Sequence, residues 1–201
     1  MKNVYFYPNS KRLNDVVVNP YIEDMMFVLS KNYRIINAGN PSNSGIIQFF
    51  VYLRRTDFLV LNWIEDLPDK KFGRLQVYAL ILQLMILKML NKKIVWVLHN
   101  KLSHYPGNRE LKNRLQMKLA KWSDFILTHT EEGLNYLQFF YPEFKAKVLV
   151  VQHPVKENIV RMDSKPAYDV IIWGSLLRYK GIHKFLKYLY EQKLEDDLKF
   201  L

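Results

Sequence analysis

Short apolar, β-rich runs alternate along the chain with longer stretches of helical spacing, and this alternation limits the fold more than any other feature. The runs lie at 4–7, 33–37, 57–63, 93–98, 124–127 and 147–151. After Lys93, the run 93–98 (Lys-Ile-Val-Trp-Val-Leu) is apolar at every position. Successive side chains of a strand point to opposite faces, so such a run needs apolar cover on both. Helices are expected at 20–30, 46–54, 72–91, 108–122 and 131–140, with a loop at 39–45. Asn19-Pro20 opens the first helix as N-cap and first helical residue, with Glu23 and Asp24 in its first turn. Strands covered on both faces and separated by helices predict an α/β protein: a doubly wound, Rossmann-like parallel sheet of about six strands.

The first strand is followed by Pro8-Asn9-Ser10, which holds no glycine, so the phosphate turn of NAD or FAD domains is not expected. The pattern predicts a first domain over 1–154 and a linker over 155–167. It then restarts over 168–201, with a strand at 168–173, a loop at 174–180, a helix at 181–190 and the opening of another strand at Lys199-Phe200-Leu201. One strand and one helix cannot bury both their faces, so the sequence is expected to be part of a longer chain.

Cysteine is absent, which excludes a disulfide framework and thiolate metal ligation and fits a reducing compartment. The longest apolar stretch, 75–90, includes Gln76, Gln83 and Lys88 and is shorter than a spanning helix, so it is expected to be a buried helix. Charge is concentrated. Residues 88–121 hold nine Lys or Arg against one acid, Glu110, and so carry +8 of the total +11. Such a field points to an anionic partner. The helix 108–122 sets Leu111, Leu115, Leu119 and Trp122 on one face and Lys112, Arg114, Lys118 and Lys121 on the other. With Arg109, these cations make it the candidate to lie on an anionic membrane surface. Nucleic acid is not expected as a partner, because no RNA-binding motif is present and the aromatic residues sit mostly in apolar runs.

Ligands of open α/β sheets bind beyond the carboxyl ends of the strands. Four of the five histidines fall there: His99 and His104 after the fourth strand, His129 after the fifth, His153 after the sixth. Asn100 and Thr130 accompany them, although Thr130 is also placed to N-cap the helix that begins at Glu131. Metal binding is the weaker expectation, since no HxxxH pair and no carboxylate at ligand spacing is present. A second constellation is Gly174-Ser175-Leu176-Leu177-Arg178-Tyr179-Lys180-Gly181, a small-residue turn with two cations before a helix start, where backbone N–H groups and cations suit a phosphate.

The segment 169–182 resembles the opening of the C-terminal domain in GT-B glycosyltransferases of the family 1 and family 4 type. Ser123-Asp124-Phe125-Ile126-Leu127-Thr128-His129-Thr130 is similar to that family's Ala-Asp strand, 147–154 to the strand entering its interdomain hinge, and Val97-Leu98-His99-Asn100 to the strand whose terminal His faces the cleft. The departures are Gln152-His153-Pro154 in place of the usual Pro-Asn-Gly and a first loop without glycines. The family's paired glutamates would lie beyond Leu201.

The resemblance implies transfer of a sugar from a nucleoside-diphosphate-sugar to an acceptor hydroxyl. It puts Gly174, Ser175, Arg178 and Lys180 on the donor diphosphate and His99 at the reacting sugar, as base or polar contact. Asn100, His104, His129, Thr130 and His153 would face a glycan or lipid-linked acceptor. No cofactor and no obligatory metal is implied, and this piece alone is expected to be inactive. The expected location is the cytoplasmic membrane's inner face. A non-catalytic Rossmann-like interaction module is the alternative, and a nucleic-acid-binding protein the lesser one.

Overall fold

In a computed structural model of the chain, residues 1–9, 20–40, 42, 45–101, 108–153, 167–172, 180–193 and 199 are described. Apolar side chains at consecutive positions make β1 (Asn3–Tyr7) a strand buried on both faces, with Val4 and Phe6 pointing one way and Tyr5 and Tyr7 the other. The same alternation runs through β3 (Phe58–Asn62) and β4 (Lys93–Leu98), after the short β2 (Arg34–Ile35). β5 (Phe125–Thr128) and β6 (Val148–Val150) complete a sheet of six strands, all parallel, in the order β2-β1-β3-β4-β5-β6. The fold is the expected Rossmann-like doubly wound α/β sheet. Strand order reverses between β1 and β3, and every carboxyl end lies along one edge.

One face carries Tyr5, Leu59, Leu61, Ile94, Trp96 and Ile126. They pack under α2 (Gly73–Met89), α3 (Arg109–Trp122) and α4 (Glu131–Phe140). The other face carries Val4, Phe6, Val60 and Val97 under Tyr21 and Ile22 of α1 (Pro20–Ser30). Residue 19, the expected N-cap of α1, lies outside the described residues.

Three local expectations are corrected. The strand expected over 33–37 contracts to β2, because the Asn37 side chain takes over the pairing. Its Oδ1 accepts from Phe6 N at 3.1 Å and its Nδ2 donates to Phe6 O at 2.8 Å, both buried. The helix expected over 46–54 is two 3-10 segments, Gly45–Val51 and Leu53–Arg55. Side chains of α2 claim the backbone at its start: Gln76 Oε1 accepts from Ile46 N and Gln83 Nε2 donates to Ile46 O. A 3-10 turn, Ile64–Asp69, occupies a stretch given no element from sequence.

The third correction concerns the 75–90 helix, which is only half buried. Gln76, Val77, Leu80, Gln83, Leu84 and Leu87 of α2 face inward, while Leu75, Tyr78, Leu82, Met85 and Met89 form an exposed stripe. The inward glutamines are bonded to the Gly45–Val51 segment and to Lys71 O, so polar residues are buried and apolar ones are left outside. No helix among the described residues is long and apolar enough to cross a membrane.

The chain divides into two compact units, Met1–Val155 and Lys156–Leu201. In the second, Asp169 N and Val170 N donate to Lys199 O, and α5 (Ile182–Glu191) follows Gly181, whose φ is 72°. Most of the expected linker lies outside the described residues.

Candidate functional site

Parallel register brings the histidines together. Leu98 is paired with Thr128, and Thr128 with Val150, so the first residues past β4 and β5, His99 and His129, leave the sheet side by side. Val151 N donates to Thr128 O, extending the last pairing toward His153. The His99 and His129 ring centroids are 5.3 Å apart, and those of His129 and His153 are 4.3 Å apart. With Asn100 and Thr130, they line a cleft of about 430 Å³ at the carboxyl edge.

Four residues that sequence reasoning missed contact the histidines from behind the cleft lining. Tyr21 of α1 presents its ring edge-on to His99, His129 and His153 at 5.0, 5.3 and 5.1 Å. Trp63 stacks on His99 at 4.2 Å with the planes 14° apart. Its backbone is left-handed, φ 46° and ψ 34°, a conformation that costs a bulky residue about 1 kcal/mol or more and recurs at functional sites. Asn62 Oδ1 lies 3.1 Å from His99 Nε2. Glu65 Oε1 accepts from His99 N at 3.3 Å. Asn62 ends the third strand and Trp63 is the first residue past it, so the rule that picked out the histidines also reaches them. Tyr21 and Glu65 carry no local sign of their role.

The tautomers follow from these partners. Asn62 Nδ2 donates to Tyr7 O at 3.3 Å, which leaves Oδ1 as acceptor. His99 therefore carries its proton on Nε2, and Nδ1 holds a lone pair. His129 Nδ1 sits 2.7 Å from Val151 O, which can only accept, so His129 Nε2 accepts from the Tyr21 hydroxyl at 3.0 Å. Burial, then the neighbouring His129 and His153, lowers the His99 imidazole to about 3 and keeps it neutral at physiological pH. Burial, and then His129, also lowers His153. Burial pushes the Glu65 carboxyl up to about 8, against backbone N–H groups that include those of His99 and Asn100.

Thr130 is the N-cap of α4: its Oγ1 accepts from Gly133 N at 3.1 Å. Gly133 must be small, since a Cβ there would stand 2.0 Å from Thr128 Oγ1. His104, Gly174, Ser175 and Arg178 lie outside the described residues. Lys180 is exposed, just before Gly181.

The basic stretch is largely neutralised by its own fold. Lys88 and Lys93 pair with Asp124, Lys92 with Asp57, Lys101 with Glu132 and Arg114 with Glu110. Lys112 corrects the surface expectation. It is 7% exposed and paired with Asp69 at 2.7 Å, because the Ile64–Asp69 turn packs against that flank of α3. Arg109, Lys118 and Lys121 have no ion pair among the described residues, and Lys118 lies over the Trp122 ring at 4.8 Å.

Comparison with known proteins finds no matching family model, no matching curated protein and no matching solved structure.

Proposed function

We propose that the chain contributes the acceptor side, and the beginning of the donor side, of a glycosyltransferase of the GT-B kind. It would move a sugar from a nucleoside-diphosphate-sugar to an acceptor hydroxyl at the cytoplasmic face of a membrane. The observation that carries this reading is the polar cleft of His99, His129, His153 and Asn100 at the carboxyl edge of a Rossmann-like sheet, where such folds bind ligands. A general base works best with a pKa near the working pH. His99, lowered to about 3, is better suited to accept a hydrogen bond from a sugar hydroxyl than to remove its proton. Arg178 and Lys180 would meet the charge that develops on the leaving diphosphate.

The test is calorimetric titration of the complete protein with uridine, guanosine and thymidine diphosphates and their sugars. The double variant Arg178→Ala, Lys180→Ala should bind its nucleotide about 100-fold more weakly, as the loss of two charge-assisted contacts implies. If the unaltered protein binds none of the panel, the non-catalytic module is the better reading.

Membrane association is supported less by α3 alone than by α2 beside it. The exposed Leu75, Tyr78, Leu82, Met85 and Met89 form an apolar stripe, and Arg74 and Arg114 line a shallow pocket with Tyr78. The variant Leu82→Asp, Met85→Asp should lose at least about tenfold in affinity for anionic phospholipid vesicles, and Lys118→Gln about fivefold. Co-sedimentation measures both. Equal binding to neutral and anionic vesicles would remove the cations' role, and no vesicle binding at all would remove the membrane.

A further inference from the structure

We infer that His99, His129 and His153 form a binding site for a borderline-soft divalent metal ion, Zn²⁺ in the first instance. One ring nitrogen from each lies within 4.8 Å of the other two. Nitrogens on a tetrahedral zinc stand roughly 3.3 Å apart, so the set must close by an ångström or so. His153, at the exposed mouth, can supply much of that movement. The short-range spacing rules of helical metal motifs do not reach this set, because its members come from three different strand ends.

Two of the rings are already held as metal-bound imidazoles are held. A ligating histidine donates its far N–H to a protein oxygen, which fixes the tautomer and aims the lone pair. His99 donates Nε2–H to Asn62 Oδ1, and His129 donates Nδ1–H to the Val151 carbonyl. Both bonds leave the other nitrogen, His99 Nδ1 and His129 Nε2, as the ligand atom. His129 Nε2 now accepts from Tyr21, and a metal ion would take the place of that proton donor. His153 has no hydrogen bond among the described residues.

The donor set narrows the ion. Three neutral imidazoles without a carboxylate suit zinc, copper, nickel or cobalt rather than magnesium or calcium. Three protein ligands would leave a fourth position open, and because all three histidines line the cleft, a water, a sugar hydroxyl or a phosphate oxygen could reach the ion from it. The inference does not depend on sugar transfer, and its test reads metal alone.

Untagged protein, stripped with chelator and freed of it, would be titrated with zinc by calorimetry and with cobalt by visible absorption. One ion per chain and the intense visible bands of four-coordinate cobalt are expected. His129→Ala and His153→Ala should each weaken zinc binding by about 100-fold, and Asn62→Ala by about tenfold. Circular dichroism checks that each variant is folded. His153 is exposed, so His153→Ala remains informative if His129→Ala does not fold. Zinc binding unchanged in His153→Ala, or only the weak bands of six-coordinate cobalt, would overturn the site.

Discussion

Replacing Lys112 with alanine is expected to destabilise the protein by about 3 kcal/mol, whereas the same change at Lys118 should cost less than about 0.5 kcal/mol. Both lie on α3 and both count toward the basic stretch. Their surroundings differ. The Lys112 and Asp69 side chains are 9% and 11% exposed and 2.7 Å apart. Lys118 reaches over the Trp122 ring and has no ion pair among the described residues. Removing one member of a buried pair leaves the other charge out of water without its counter-ion, and that penalty exceeds the net worth of the pair. The double change Lys112→Met, Asp69→Leu should therefore recover most of the loss. Urea unfolding followed by circular dichroism gives all three values. A Lys112→Ala midpoint no lower than that of Lys118→Ala would show that the pair does not hold α3 to the turn.

The second large effect depends on pH. Glu65 is 3% exposed, and its carboxyl is raised from 4.5 to about 8 by burial. A carboxyl with a raised folded-state pKa binds its proton more tightly when folded. Its ionisation costs nothing below the unfolded pKa, and the cost grows as pH climbs toward the folded one. Glu65→Gln should thus match the unaltered protein near pH 4.5. It should become progressively more stable than it, by about 1.4 kcal/mol per pH unit, to a limit of about 5 kcal/mol above pH 8. Unfolding at pH 5, 6.5 and 8 measures the difference, and a constant gap would place the Glu65 carboxyl within reach of water. The site feels the same group, because Glu65 accepts from the backbone N–H of His99 and holds the turn after β4.

Much of the site was legible because the fold class was. Once strands are placed in a parallel sheet, their carboxyl ends share an edge, and His99, His129 and His153 follow those ends. The metal geometry was not legible. Spacing along the chain says nothing of how close three rings come when each leaves a different strand, nor that Asn62 and Val151 orient two of them. Tyr21 enters from α1 on the opposite end of the sequence and has no motif to announce it.

What the sequence determined by itself was local: the alternation of strand and helix, the Thr130 cap, and the strand ends where polar residues gather. These depend on backbone propensity and side-chain period, which neighbouring residues settle among themselves. Tertiary structure decided which side of each helix is covered. It turned Gln76 and Gln83 inward to meet Ile46, left Leu82 and Met85 outside, and buried Lys112 against Asp69. Apolar periodicity records that a helix has faces, but the hydrogen bonds and charges of residues far away in the chain choose which face is buried.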